Sequence, residues 1–432
     1  MLVRNARLAD GRVRDVRIEG ERIAAVGTNL DAGGQVVDAR ERLLLPGAVD
    51  VHVHFREPGD AHKETWRTGS RSAAAGGVTT VVDQPNTDPP TTTGAAYDQK
   101  ELVARDSLID YGINGGVTAE WTPEALFDRP IFALGEVFLA DSTGDMGIDA
   151  DLFEAAVDRA AANDVVVTVH AEDATLFDES ARERASEGTG RDADADAWSA
   201  YRTAEAEIAA VERAVDIGVD AGARLHIAHT STPEAVDIVD DAPDFVTCEV
   251  TPHHLLLSRD DLPELGTFGR MNPPLRSEER RAALYDRVVD GAVDAIATDH
   301  APHTRAEKET TLWDAPSGVP GVETMVPLLL AEALDGSLSV ERVRDLTAAS
   351  PAARFGLDRK GRIEAGMDAD LALYDLDRTR EIRGRATHSK SGWTPFAGRQ
   401  GVFPEWTLVR GDRVYDGAMD TFGAADGENV RD

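Results

Sequence analysis

His52 and His54 stand two residues apart at the end of a β-forming run, AVDVHVHF. Residues i and i+2 of a strand face the same side. Two imidazoles on one side can chelate one metal ion, although the pair alone suits plain packing equally well. His170 closes the run DVVVTVH, His229 follows RLHIA, and Asp299 follows VDAIAT. Any one of these residues alone reads as an ordinary core residue. Together, four histidines and an aspartate at four strand ends point to a metal centre. Imidazole and carboxylate donors without thiolates suit zinc, with manganese or cobalt as alternatives.

The elements that must carry these residues recur along the chain. From Ala48 onward there are eight apolar runs: AVDVHVHF, GVTTVVDQP, IDYGINGGV, IFALGEVFLA, DVVVTVHAE, RLHIAHTS, FVTCEVTPHH and VDAIATDHAP. Helical stretches such as DLFEAAVDRAAAND separate most of them. The fold class is therefore α/β, and eight alternations suit a (β/α)8 barrel. A doubly wound open sheet is the alternative, but it has no preference for eight strands. In a barrel the C-terminal strand ends converge on one mouth, where active sites lie. Short β segments fill the N-terminal end and return in DADLALYDLD and EWTLVRGDRVYDG, so both chain ends should build a small β-sandwich. The expected blocks are 1–46 and 366–432 for the sandwich and 47–365 for the barrel. The last stretch, GAMDTFGAADGENVRD, is polar and glycine-rich and should fray.

Composition excludes several classes. The 432 residues include 79 acidic and 45 basic ones, for a net charge of −34. Such a charge repels phosphate backbones and anionic lipid surfaces, which argues against nucleic-acid or membrane partners. The acid is spread along the chain, so it reads as a solvated surface. Only five of the basic residues are lysines: Lys63, Lys100, Lys308, Lys360 and Lys390. An acid-rich, lysine-poor surface suggests a protein kept soluble in concentrated salt. The lone Cys248 reads as a core residue and fits a reducing cytoplasm. The N-terminus lacks an apolar signal region, and no apolar run reaches membrane-spanning length.

HVHFREPG, GGVTTVVDQPNT, VHAED, HIAHTS, TPHHL, MNPPLR, TDHAPH and SGVPGVET lie in one order between Leu45 and Asp377. With GRIEAGMDADLALYDL, they resemble the dihydroorotase branch of the cyclic amidohydrolases. The resemblance implies a metal-dependent hydrolase barrel with a binuclear centre. His52, His54 and Asp299 would hold one metal, and His170 and His229 the other. The family usually bridges the metals with a carbamylated lysine. Here that place, in GEVFLADSTG, is Glu136, and no lysine lies between Lys100 and Lys308. A glutamate can bridge directly, so Glu136 is the expected bridge, with Asp141 as the alternative. A single-metal site with both carboxylates structural is the bland reading.

The resemblance also implies substrate contacts. His54, Arg56, Asn86, Asn272 and His303 match family substrate positions, with Arg56 as the clamp for a carboxylate. Ser317 and Gly318 in SGVPG supply amides and room for a ring. Residues 304–316 read equally as a lid or as a plain loop. His226 should point into the barrel–helix layer. His253 and His254 should be structural, and His62 and His388 carry no signal. The implied reaction interconverts N-carbamoyl-L-aspartate and L-dihydroorotate in pyrimidine synthesis. A metal-bound hydroxide attacks the ring carbonyl, and Asp299 moves the proton. An allantoinase or hydantoinase is the nearest alternative, but related allantoinases carry Asn where this chain has Arg56. A non-catalytic scaffold homologue should lack ligands that are present here. A homo-oligomer and contact with an aspartate transcarbamoylase both stay open.

Overall fold

The computed structural model describes residues 1–139, 146–185, 187–424 and 426–432. All eight apolar runs become barrel strands. In order they are Ala48–Val53, Val78–Asp83, Asp110–Ile113, Leu134–Leu139, Val167–Ala171, Leu225–Ile227, Val246–Val250 and Ala295–Ile296. Neighbouring strands pair in parallel. The first three form one hydrogen-bonded group and the last five another. Single parallel bridges join the two groups, Gly115 to Leu134 on one side and Val53 to His300 on the other. β-Branched residues dominate these strands because both faces are covered. Leu225, Ile227, Val246, Cys248 and Val250 are buried in the main apolar core. Cys248 is a free thiol, as its place in an apolar strand suggested.

The crossover helices begin where capping chemistry allows. Helix Trp66–Gly76 starts at Thr65, whose hydroxyl accepts from Thr68 N in a reciprocal capping box. It ends at Gly77, with φ 86°, where a Cβ would strike the Tyr374 hydroxyl at 1.9 Å. Helix Ala204–Ala221 starts at Thr203 and ends at Gly222 in the left-handed region. Among the described residues no helix is long and apolar enough to cross a membrane.

The chain ends meet in one nine-stranded ladder. Leu371–Tyr374 pairs antiparallel with Leu43–Pro46 on one side and with Pro404–Val409 on the other. Val3, Val16, Ile18 and Leu44 from the N-terminal end share a core with Leu371, Leu373 and Trp406. Residues between these later strands return to the barrel. Trp393 Nε1 donates to the His303 carbonyl at 2.8 Å, and Val402 N–H to the Pro327 carbonyl at 3.0 Å. The stretch 366–432 therefore packs against both units.

Among the described residues the C-terminal tail is tied down, not frayed as expected. Gly427 N–H donates to the Ser107 carbonyl at 3.1 Å. Tyr111 N–H donates to the Glu428 carbonyl and Val430 N–H to the Tyr111 carbonyl, both at 2.9 Å. Asn429 Nδ2 reaches Tyr97 Oη at 2.9 Å and Glu101 Oε2 at 3.0 Å. The tail finds partners because the third strand offers backbone groups that would otherwise be unpaired, and polar composition does not reveal this. Above it a buried ion cluster joins barrel and sheet. Lys360 Nζ lies 2.7 Å from Asp110 and 2.6 Å from Asp370, and Arg410 also pairs with Asp110. Lys360 is one of three buried lysines; the others are Lys100 and Lys308.

Candidate active site

The C-terminal strand ends converge as barrel geometry requires. His52 belongs to the first strand and His54 follows it, Glu136 to the fourth, and His170 to the fifth. His229 follows the sixth strand, and Asp299 follows the eighth. Glu136 stands at the centre. Its Oε2 lies 3.4 Å from His52 Nε2 and 3.9 Å from His54 Nε2. Its Oε1 lies 2.6 Å from His229 Nε2 and 3.1 Å from His170 Nδ1. One carboxylate thus presents one oxygen to each pair of imidazoles. Asp299 Oδ1 lies 2.9 Å from His54 Nε2 and 3.7 Å from His52 Nε2. Asp141, the alternative bridge, lies outside the described residues.

Local structure makes this convergence. Gly135 has φ 140°, and a Cβ there would fall 2.3 Å from the Thr168 carbonyl oxygen, so only glycine fits before Glu136. Glu136 N–H donates to Gln84 Oε1 at 2.8 Å, and Asn114 Nδ2 donates to the same oxygen at 3.0 Å. Arg56, His229 and Asp299 take φ of 63°, 33° and 44°. Left-handed backbone at a non-glycine residue costs about 1–3 kcal/mol, and three such residues cluster here. The turn at His229 also explains His226. The sixth strand ends at Ile227, so the alternation expected from His229 does not run back to His226. Instead of entering the barrel–helix layer as expected, His226 Nε2 lies 3.1 Å from Glu249. The same carboxylate accepts from His52 Nδ1 at 2.6 Å.

Three of the four ligand histidines have a partner on the far side, whereas His229 Nδ1 is buried without one. His54 Nδ1 faces Asn86 Oδ1 at 2.7 Å. His170 Nε2 faces Glu172 Oε2 at 3.2 Å, and Glu172 pairs with Arg202. Such partners fix the tautomer that aims the other ring nitrogen inward. Glu249 and Glu172 had escaped the sequence reading. The signal for Glu249 was a lone carboxylate inside the apolar run FVTCEV, and for Glu172 its place two residues past His170.

The donor chemistry fits divalent cations. His52, His54 and Glu136 place donor atoms within 4.8 Å of one another, as do Glu136, His170 and His229. His52 Nε2 is buried without a hydrogen-bond partner, which a cation would answer. Burial alone would raise the Glu136 carboxyl, but the imidazoles of His52, His229 and His170 outweigh it and hold the group well below the usual range. Burial likewise opposes ionisation of Asp299, yet His54 beside it keeps its pKa at about 2. Both carboxylates are anionic at neutral pH.

A small cavity opens over this centre. His54, Arg56, Asn86, Asn272, Ser317 and Gly318 line it together with the metal-site residues Glu136, His170, His229 and Asp299. Phe138 and Ala301 complete the wall. Arg56 is buried and donates Nε to the Pro302 carbonyl at 3.3 Å. Among the described residues it makes no salt bridge, so its guanidinium stays available to an anion. His303 does not reach the wall. It lies behind Arg56, with Nε2 at 3.2 Å from Arg56 Nη2 and 2.9 Å from the Ser317 carbonyl. Burial and the nearby Arg56 charge push its pKa well down, so the ring is neutral. Asn272 is held by Trp198 Nε1 at 3.2 Å.

His253 and His254 lie outside the cavity lining. His254 bridges Thr251 Oγ1 and the Pro273 carbonyl, each at 2.9 Å, and burial lowers its pKa to about 4. His253 is buried beside it. Residues 304–316 are tied down along their length. Thr304 caps the short helix Arg305–Lys308, and Lys308 Nζ reaches the carbonyls of Arg270, Pro316 and Gly318 at 2.9, 2.9 and 3.1 Å.

This barrel, with its carboxylate-centred histidine site, defines the class of metal-dependent cyclic amide hydrolases. The amidohydrolase family profile matches residues 43–402. The chain is 66% identical over 432 residues to the dihydroorotase of Halobacterium salinarum, covering 100% of this chain and 99% of that one. It is 42% identical over 419 residues to the dihydroorotase of Methanosarcina acetivorans, covering 94% and 89%. Among solved structures, the L-hydantoinase (dihydropyrimidinase) of Arthrobacter aurescens superposes with a TM-score of 0.92 at 27% identity, over 99% and 98% of the two chains. A D-hydantoinase from Bacillus sp. AR9 gives 0.89 at 25% identity, over 100% and 98%. The chain belongs to the amidohydrolase family, within its dihydroorotase branch.

Proposed function

We propose that the chain closes N-carbamoyl-L-aspartate to L-dihydroorotate, reversibly, in cytoplasmic pyrimidine synthesis. The observation that carries this reading is Arg56, a buried guanidinium on the cavity wall beside a metal-type centre. A planar fork in that position matches a substrate carboxylate. His52, His54 and Asp299 would hold one divalent cation and His170 and His229 the second, with Glu136 between them. Zinc suits these nitrogen and oxygen donors. When bound, the cations supply a water of lowered pKa and polarise the reacting carbonyl.

The chain's own residues do the rest. Arg56 orients the substrate by its carboxylate, and Asn272 with the amides of Ser317 and Gly318 borders the ring. Asn86 keeps His54 in the tautomer whose Nε2 faces inward. In ring opening, ionised Asp299 accepts the proton of the attacking water and delivers it to the leaving ring nitrogen. In ring closure the same carboxylate accepts the ureido proton. Neutral His303 braces Arg56 from behind.

An assay of ring closure on carbamoyl-aspartate, run across a salt series with metal analysis of the same samples, tests the proposal. The expected outcome is turnover that tracks about two metal equivalents. Faster opening of hydantoin or allantoin than of dihydroorotate would move the assignment to those enzymes.

A further inference from the structure

Glu249 belongs to the seventh strand, is 1% exposed, and is in neither ligand group. Its surroundings are unusual for a buried carboxylate. Among the described residues no lysine or arginine pairs with it. Its charge is met by N–H donors from two different strand ends. Oε1 accepts from His52 Nδ1 at 2.6 Å and from the backbone N–H of His229 at 3.2 Å. Oε2 faces His226 Nε2 at 3.1 Å, and His226 Nδ1 is backed by Thr247 Oγ1 at 2.8 Å.

These contacts act on both halves of the centre. A proton on His52 Nδ1, held by Glu249, leaves the lone pair on Nε2, the atom that faces Glu136. The carboxylate also makes that imidazole a stronger donor. The second contact is to the peptide of His229, whose φ of 33° needs support from outside. His52 and His229 approach opposite oxygens of Glu136. One oxygen of Glu249 therefore governs a ring in one half and the backbone under a ring in the other.

We propose that Glu249 is a positioning residue that couples the two halves of the metal centre through His52 and His229. This rests on the two-cation reading of the site. The assignment differs from that of Glu172, which braces His170 alone. Glu249 lies outside the cavity wall, so it acts through the ligands and touches no substrate.

The test is zinc titration of metal-stripped protein, with the melting temperature of each stripped variant as the control for fold. Wild-type protein should take up two equivalents; if it does not, the two-cation reading itself fails. Glu249→Ala removes the acceptor for both contacts and should weaken both equivalents by about 10- to 100-fold. Glu249→Gln keeps the shape and an acceptor, so it should fold as wild type while still losing zinc affinity by about tenfold. At saturating zinc both variants should retain the wild-type KM. Wild-type zinc affinity in Glu249→Gln would overturn the proposal. So would an alanine variant that weakens only one equivalent, or one whose affinity loss merely follows a fall in stripped-protein stability. If the alanine variant does not fold, the glutamine variant decides.

Discussion

At the scale of single residues, function reduces to where six ligand groups and the Arg56 guanidinium point. Glu136 carries the heaviest demand, since both histidine pairs address it. Glu136→Ala should reduce the bound metal from about two equivalents to one or fewer, measured by elemental analysis after dialysis. Two retained equivalents would return the bridge to Asp141. Arg56 separates substrate recognition from metal binding. Arg56→Asn removes charge-assisted hydrogen bonds of roughly 1.5–3 kcal/mol, so KM for carbamoyl-aspartate should rise by about 10- to 100-fold with metal content unchanged. An equal loss of metal would mean that Arg56 supports the centre instead. The ligand histidines were legible because each closes an apolar run. Their partners were not. Glu249 meets His52 across 197 positions, and no local spacing encodes that contact. His226 was misassigned for a related reason: strand alternation ends at Ile227, and the left-handed turn at His229 cannot be seen in HIAH.

At the scale of elements, the eight strands were readable as β-branched runs between turn signals, and their parallel order follows from the helices between them. The ties between elements were harder to read. His388 looked uninformative, yet it fastens three segments. Its Nδ1 lies 3.1 Å from Glu323 and its Nε2 3.0 Å from Asp420, while Ser72 of helix Trp66–Gly76 donates to Glu323 at 3.0 Å. Burial disfavours the charged ring, but Glu323 and Asp420 outweigh it and raise the pKa. A raised folded pKa means that the charged ring's contribution is complete below the unfolded value of about 6.5. It is lost as pH climbs through the folded value. His388→Gln should therefore destabilise the protein by about 2 kcal/mol at pH 6 and by less at pH 9, read from denaturant unfolding. An equal deficit at both pH values would show that the ring matters only for packing.

For the whole molecule, the net charge of −34 is the dominant fact. At ~0.1 M salt the Debye length is about 10 Å and surface acids repel one another; at ~1 M it is about 3 Å and they do not. Melting temperature and ring-closure rate should both rise from ~0.1 to ~1 M KCl, by thermal melts and the assay above. A flat response would assign the acid to solubility alone. The scarcity of lysine leaves a chemical fingerprint. Lys100 lies 2.5 Å from Asp83, Lys308 is held by three carbonyls, and Lys360 is held by Asp110 and Asp370. A compact ammonium fits such enclosures where a guanidinium fork does not. Of the other two, Lys390 is exposed, and Lys63 is partly buried in pairs with Asp60 and Glu307. The two meet at one place: Lys63, in the loop after the first barrel strand, pairs with Asp60, and Lys390 Nζ reaches across to the Ala61 carbonyl of that loop at 2.6 Å. Amine-directed dyes, cross-linkers or solid supports would thus attach among the lysines chiefly at Lys390, beside that one loop just past Arg56, giving nearly uniform orientation without any engineered tag.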